Sequence, residues 1–147
     1  MKTLILGYKS IHVSSFVNNL IFKRQSISLL SGKTCFYPTI RSENNISFRT
    51  LNPFTIIRNY LKLKKNLVKL NSSLIKIHVL NSIAYLASSA SNKLNLPVLS
   101  STWECDVLLI PTKNCFFKYI TRKMFNRSFI VTADSMSMIH CMKLVLK

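Results

Sequence analysis

Short apolar runs alternate with segments of helical periodicity along most of this 147-residue chain. The apolar runs lack the two-sided polarity of a surface strand, as is typical of strands that are buried on both faces of a parallel sheet. Strands and helices that alternate in this way form βαβ units, which are joined by right-handed crossovers. The sequence therefore predicts a single α/β domain over residues 1–147, with a Rossmann-like parallel sheet and helices on both faces.

The predicted order is β-α-β, then a polar irregular segment, then α-β-α-β-α-β-α. Strands are predicted at 2–8, 26–30, 74–80, after Pro97, and at 128–133. Helices are predicted at 13–22, 53–70, 83–90 and 116–127, with a last helix capped by Asp134 and Ser135. The segment 33–52 reads as a loop or as a loop with a short extra strand around 34–37.

The stretch 97–107 begins as an apolar strand and ends in hydroxyl residues, Trp103 and Asp106. Ligands of open α/β sheets bind just beyond the carboxyl ends of the strands. Two interpretations stand at this point: Trp103 and Asp106 line a ligand crevice, or Trp103 packs in the core and Asp106 caps the next segment. His78, at the end of the preceding strand, is in the same way either a core histidine or a ligand contact.

The first strand is followed by a loop that lacks the glycine-rich dinucleotide fingerprint, since no glycine lies between Gly7 and Gly32. We therefore expect no dinucleotide cofactor. His12, at the start of the first helix, either caps it, faces solvent or contacts a ligand. The four cysteines show no paired metal-ligand spacing, so the sequence favours free thiols in a cytoplasmic protein and no metal site.

The charge balance is strongly basic, with 21 Lys and Arg against 4 Asp and Glu and a net charge of +17. Such a surface attracts polyanions, either nucleic acid or an anionic membrane leaflet. In the predicted helix 53–70, an apolar stripe and a basic stripe lie on opposite faces, and the basic one is either a solvated face or a binding surface. Nucleic acid is less favoured, because the aromatic residues of helix 116–127 have the spacing of a core face.

Four short motifs, in order along the chain, resemble the amino-terminal domain of family 4 glycosyltransferases, which are two-domain GT-B enzymes. Residues 10–20 are similar to the family's Ser-Ile-His-x-x-x-Trp-Val-Asn-x-Leu, and 77–81 to its Ile-His-x-His strand. Residues 102–106, Thr-Trp-Glu-Cys-Asp, resemble its Trp-Gly-Ser-Asp turn, and 131–135 its Thr-Ala-Asp-Ser. Two departures are Glu104 in place of glycine and Leu80 in place of the second histidine.

The resemblance implies an acceptor-binding domain whose substrate-binding residues are Ser10, His12, His78, Trp103 and Asp106. In the family, the nucleotide-sugar donor binds mainly to a second domain, and no such domain is expected within this sequence. The expected function is therefore the acceptor half of a glycosyltransferase, truncated or completed by a donor-domain partner, and inactive without it. The basic helices would hold it at the inner face of the membrane. The alternative is a basic α/β module that binds nucleic acid or an anionic membrane surface without catalysis.

Overall fold

The computed structural model describes residues 2–7, 11–22, 26–30, 53–78 and 82–146. Along the chain the elements are β1 (Lys2–Leu6), α1 (Ile11–Phe22), β2 (Ser26–Leu30), α2 (Pro53–Leu70), β3 (Leu74–His78), α3 (Ser82–Lys93), β4 (Val98–Ser101), a π-helical segment (Cys105–Leu109), α4 (Cys115–Arg127), β5 (Ile130–Thr132) and α5 (Met136–Leu146). The predicted loop or extra strand at 33–52 lies outside the described residues.

All five described strands are parallel and form one sheet in the order β2-β1-β3-β4-β5. The register places Ile77 beside Ser100, and His78 beside Ser101. Ser101 in turn lies beside Thr132 of β5. The predicted Rossmann-like parallel sheet is confirmed, and the carboxyl ends of β3, β4 and β5 form one continuous edge.

The main core lies between the sheet and α2, α3, α4 and α5. The apolar stripe of α2 is buried there through Leu63, Leu67 and Leu70, as its helical spacing predicts. The other core members come from the strands, from α3 and from the carboxyl-terminal part of the chain: Leu4, Leu6, Ile75, Ile77, Ala84, Ala87, Ala90, Val98, Val107, Met124, Phe125, Met138 and Val145.

The opposite face of the sheet is covered by α1 over β1 and β3. Val13 and Val17 are buried there and lie outside the main core cluster. Gly7, after β1, brings the backbone close to this helix, because a Cβ at that position would lie 3.0 Å from a Val13 methyl group. On the β5 side of this face, Ile130 and Thr132 are exposed. Among the described residues, this helix therefore does not cover the β5 end of this face.

Helix ends are fixed by side-chain caps and by left-handed residues. The Asn114 side chain accepts a hydrogen bond from the Phe117 N–H at 3.0 Å, and caps α4. Ser135 accepts from the Met138 N–H at 3.3 Å, as the predicted cap of the last helix requires. Asn71 and Asn95, which follow α2 and α3, have φ of 44° and 53° and end those helices in the left-handed region.

Candidate functional site

Four polar side chains share the α1 face of the sheet at its carboxyl edge. His78, Ser101 and Thr132 lie side by side on β3, β4 and β5, and side chains in register on parallel strands point to the same face. Lys76 lies two residues before His78 and so points to that face as well. We refer to Lys76, His78, Ser101 and Thr132 as the strand-end cluster.

A chain of hydrogen bonds runs through this cluster from a buried amine to an exposed hydroxyl. The Lys76 Nζ lies 2.6 Å from the Ser101 Oγ, and Ser101 Oγ lies 2.9 Å from Thr132 Oγ1. An ammonium group only donates, so the Ser101 oxygen accepts from Lys76, while either hydroxyl can be the donor in the Ser101–Thr132 bond. Thr132 is exposed, and its hydroxyl also donates to the Ser100 carbonyl in a long contact of 3.5 Å.

Burial shifts the protonation of both basic groups in the cluster. Burial lowers the pKa of Lys76 from 10.5 to about 8. Burial and, next, the positive charge of Lys76 lower the pKa of His78 from 6.5 to about 4. At neutral pH Lys76 is therefore charged and the His78 imidazole is neutral, able to donate from one ring nitrogen and to accept at the other.

The aromatic ring of Phe16, on α1, packs against both basic side chains. Its centroid lies 4.7 Å from that of the His78 ring, edge to face, and 5.4 Å from the Lys76 Nζ. His78 is 7% exposed, and within the described part of the chain its Nε2 has no hydrogen-bond partner. A buried imidazole nitrogen without a partner is uncommon in a folded core, where most polar atoms are paired.

The turn after β4 holds Trp103 and Asp106 together. The Asp106 Oδ2 accepts from the Trp103 N–H at 3.1 Å, and the Trp103 carbonyl accepts from the Asp106 N–H at 2.9 Å. Asp106 is 2% exposed, whereas Trp103 is partly exposed. Thr102 anchors the turn to β5 through its Oγ1, which donates to the Thr132 carbonyl at 2.9 Å. Asp106 therefore holds the turn together without capping the segment that follows, which has no side-chain cap hydrogen bond, and its assignment to substrate binding stays a prediction.

Glu104, the main departure from the family motif, is compatible with its backbone. Its φ of −49° and ψ of −48° are right-handed helical, so the position does not require glycine. The side chain is exposed, and the residue directly precedes the π-helical segment as its N-cap position. The carboxylate is accommodated without backbone strain.

The structure places three of the five sequence-predicted site residues at the carboxyl edge: His78, Trp103 and Asp106. His12 is in the first turn of α1, which follows β1, and its side chain lies outside the described part. Ser10 lies outside the described residues. Their assignment to substrate binding stays a prediction. Lys76, Ser101 and Thr132 were missed, although the alternation of polar and apolar residues in β3 was the signal that places Lys76 and His78 on one face.

A second surface of note is the outer face of α2. Phe54, Ile57, Leu61 and Val68 are exposed there, with Phe54 83% exposed. They follow one another at helical spacing along a single line. Basic residues flank this line over the length of the helix, and are Arg58, Lys62, Lys64, Lys65 and Lys69. We refer to this surface as the α2 outer face.

Three negative findings apply to the described part of the chain only. No three His, Cys, Asp or Glu side chains are grouped there so as to hold a metal ion. Cys105, Cys115 and Cys141 are free thiols. Within the same residues, every helix is too short or too polar to cross a lipid bilayer.

Comparison with known proteins gives both a family and a fold. No curated protein sequence matches the chain significantly. The solved structures that it resembles include MurG from Acinetobacter baumannii, with a TM-score of 0.67 and 11% identity over 92% of this chain. They also include UDP-GlcNAc 2-epimerase from Methanocaldococcus jannaschii, with a TM-score of 0.70 and 13% identity over 98% of this chain.

The chain spans 42% of each of these two proteins. At such low identity the likeness shows the fold alone, which is that of one half of a GT-B protein. The family model described as glycosyl transferase 4-like matches residues 3–135, which is most of the sequence. The family expected from the motifs is thereby confirmed, and this chain belongs to the glycosyl transferase 4-like family.

Proposed function

We propose that this chain is the acceptor-binding half of a glycosyltransferase that moves a sugar from a nucleotide-sugar to a hydroxyl group. The observation that carries the proposal is the row of polar side chains at the carboxyl ends of β3, β4 and β5, in a chain of this family. Ligands of open α/β sheets bind at that edge. The nucleotide-sugar is supplied by a donor domain or partner subunit, without which the chain is inactive.

Each side chain at the edge has a distinct part in this proposal. The neutral His78 imidazole forms a hydrogen bond with an acceptor hydroxyl through its unpaired Nε2. The partly exposed Trp103 ring offers a flat apolar surface on which a sugar ring can stack. Asp106, held against the Trp103 backbone, is a positioning residue in this arrangement. Ser10 and His12, whose side chains are not described, are proposed to complete the acceptor pocket from the first loop.

The test is a binding comparison by amide NMR between simple methyl hexosides and nucleotide-sugars. We expect the hexosides to shift resonances of 76–78, 101–106 and 132, while UDP-hexoses shift none of these. His78→Ala should abolish the hexoside shifts, and His140→Ala, which removes an exposed histidine from α5, should leave them unchanged. Nucleotide-sugars that bind this edge, or sugar transfer by the isolated chain, would contradict the acceptor-half proposal.

We further propose that the α2 outer face rests on an anionic membrane leaflet. Four exposed apolar side chains flanked by basic ones are the composition of an interfacial amphipathic helix. Lys and Arg near an anionic surface each contribute roughly 1 kcal/mol of attraction. The chain would then work at the inner, cytoplasmic face of a membrane, as a peripheral protein that brings its acceptor edge near lipid-linked substrates.

Vesicle flotation distinguishes membrane binding through the apolar residues of the α2 outer face from binding through net charge alone. We expect the wild type to float with vesicles that contain phosphatidylglycerol, and the Leu61→Ser variant to remain largely in solution at the same net charge. Leu144→Ser is the matched control, because Leu144 is similarly exposed on α5 (50%, against 58% for Leu61). Strong salt-dependent binding to DNA or RNA in a filter assay, with vesicle binding unaffected by Leu61→Ser, would favour the nucleic-acid alternative instead.

A further inference from the structure

We infer that the strand-end cluster is a binding subsite for an oxyanion, either a phosphate or a carboxylate. The subsite consists of Lys76, Ser101 and Thr132, with the His78 ring beside them. This inference rests on the proposed function, and it means that the acceptor substrate itself carries the phosphate or carboxylate. An acceptor of this kind is a sugar phosphate, a phosphate-linked lipid headgroup or a uronic acid.

The first argument is an unbalanced charge. Lys76 is 7% exposed, and its contacts within the described residues are the Ser101 hydroxyl and the Phe16 ring. Within the described part of the chain, no carboxylate pairs with Lys76. The Asp106 carboxylate accepts a hydrogen bond from the Trp103 N–H, and the side chains of Glu104 and Asp134 are exposed. A buried cation without an anion is costly, and a bound oxyanion would balance it.

The second argument is the number of hydrogen-bond donors in the cluster. The Lys76 ammonium can only donate, and each of the Ser101 and Thr132 hydroxyls, which share a hydrogen bond of either direction, carries one proton that can be donated. Each bond in such a chain strengthens the next. A site made of donors favours a ligand that only accepts, which describes an ionised phosphate or carboxylate and does not describe a neutral sugar hydroxyl.

The third argument is the unpaired His78 Nε2. This atom is buried and has no partner among the residues that the structure describes, and His78 lies on the same strand and face as Lys76, in register with Ser101. In the tautomer that carries its proton on Nε2, the ring adds a further donor to the subsite. The open β5 end of this face, where Thr132 is exposed, gives a ligand access to these groups.

The experiment uses the fluorescence of Trp103, the only tryptophan of the chain, as the reporter. The probes are inorganic phosphate, glucose 6-phosphate, glucuronate and methyl glucoside, at physiological ionic strength. We expect the three oxyanions to bind and methyl glucoside to bind more weakly. Glucose 6-phosphate and glucuronate distinguish a phosphate from a carboxylate as the preferred group.

Matched variants separate the subsite from the general basic charge of the protein. Lys76→Met should weaken oxyanion binding by about tenfold or more, the loss expected for a charge-assisted hydrogen bond. Lys93→Met has the same net charge, removes an exposed lysine at the end of α3, and should bind as the wild type does. Thr132→Val should weaken binding, and Thr132→Ser, which keeps the hydroxyl, should restore it.

The outcomes distinguish this inference from the proposed function. Equal losses in Lys76→Met and Lys93→Met would overturn the subsite, because the attraction would then be non-specific. Methyl glucoside that binds as well as glucose 6-phosphate would also overturn it, and would leave the acceptor role intact. Phosphate that binds through Lys76, with no added affinity from the sugar, would support the subsite and count against the acceptor role. Thermal unfolding of each variant verifies that it is folded.

Discussion

Replacing Lys76 by methionine should make the protein more stable at neutral pH. The lysine is 7% exposed, and burial lowers its pKa from 10.5 to about 8. Methionine keeps a long flexible apolar side chain that can still pack on the Phe16 ring, and it removes the charge. The variant therefore tests whether the buried ammonium is a cost to the fold that only a bound ligand would offset.

The sign of the pH dependence follows from the direction of the shift. The unfolded chain holds the Lys76 proton more tightly than the folded chain does, so the wild type gains stability as the pH rises from about 8 to 10.5. Below pH 8 the whole penalty is present. The shift from 10.5 to about 8 corresponds to about 3 kcal/mol at about 1.4 kcal/mol per unit.

Two terms reduce that figure. Solvent at the open end of the face screens the charge, and the variant also loses the hydrogen bond between Lys76 and Ser101. The expected net gain is about 1–2 kcal/mol at neutral pH.

Urea unfolding at neutral pH, and at pH values from 8 to 10.5, measures the difference between wild type and variant. We expect the gain in the free energy of unfolding to be largest at neutral pH and to shrink as the pH rises. Lys93→Met, which loses an exposed charge, should show little difference at any of these pH values. A Lys76→Met protein that is less stable than the wild type at neutral pH, or a difference that stays constant with pH, would refute the reasoning.

Three further predictions test the same structure. The pKa of His78 is lowered from 6.5 to about 4, so the wild type should lose stability as the pH falls across that range, and urea unfolding of His78→Leu should show a smaller loss. In Lys76→Met, an NMR titration should find a higher His78 pKa, because the Lys76 charge is one cause of the shift. Asn114→Ala should lower the free energy of unfolding by about 1 kcal/mol, because it removes the α4 cap, whereas Asn114→Asp should keep most of the wild-type stability. Equal urea midpoints for the two variants would contradict the capping role of Asn114. Leu67→Ala should cost about 3 kcal/mol in the same assay, since Leu67 is 1% exposed in the main core, and a cost below about 1 kcal/mol would contradict its central packing.

The elements that could be predicted from the sequence are those whose signal is local. The spacing of apolar residues predicted α2 at 53–70 and β2 at 26–30, and the structure has both with these bounds. The π-helical segment Cys105–Leu109 was not predicted, because the strand after Pro97 was expected to end in a polar loop and no element was assigned before the helix at 116–127. Its conformation depends on a buried side chain: Asp106 reaches back to the Trp103 N–H, a contact that periodicity does not encode.

The candidate site shows where sequence reasoning ends. Two of its members could be grouped from the sequence, since Lys76 and His78 alternate with the core residues Ile75 and Ile77 and must share the other face of β3. Treating 74–80 as a uniformly apolar strand hid that alternation.

The other two members could not be grouped in this way. Ser101 and Thr132 are ordinary hydroxyl residues at strand ends, and only the register across β3, β4 and β5 places them beside His78. A shift of one residue in either pairing would turn the hydroxyls to the opposite face and break the hydrogen-bond chain that begins at Lys76. The chemistry of this edge therefore depends on the register between neighbouring strands, which the crossover segments set and which no short sequence motif reveals.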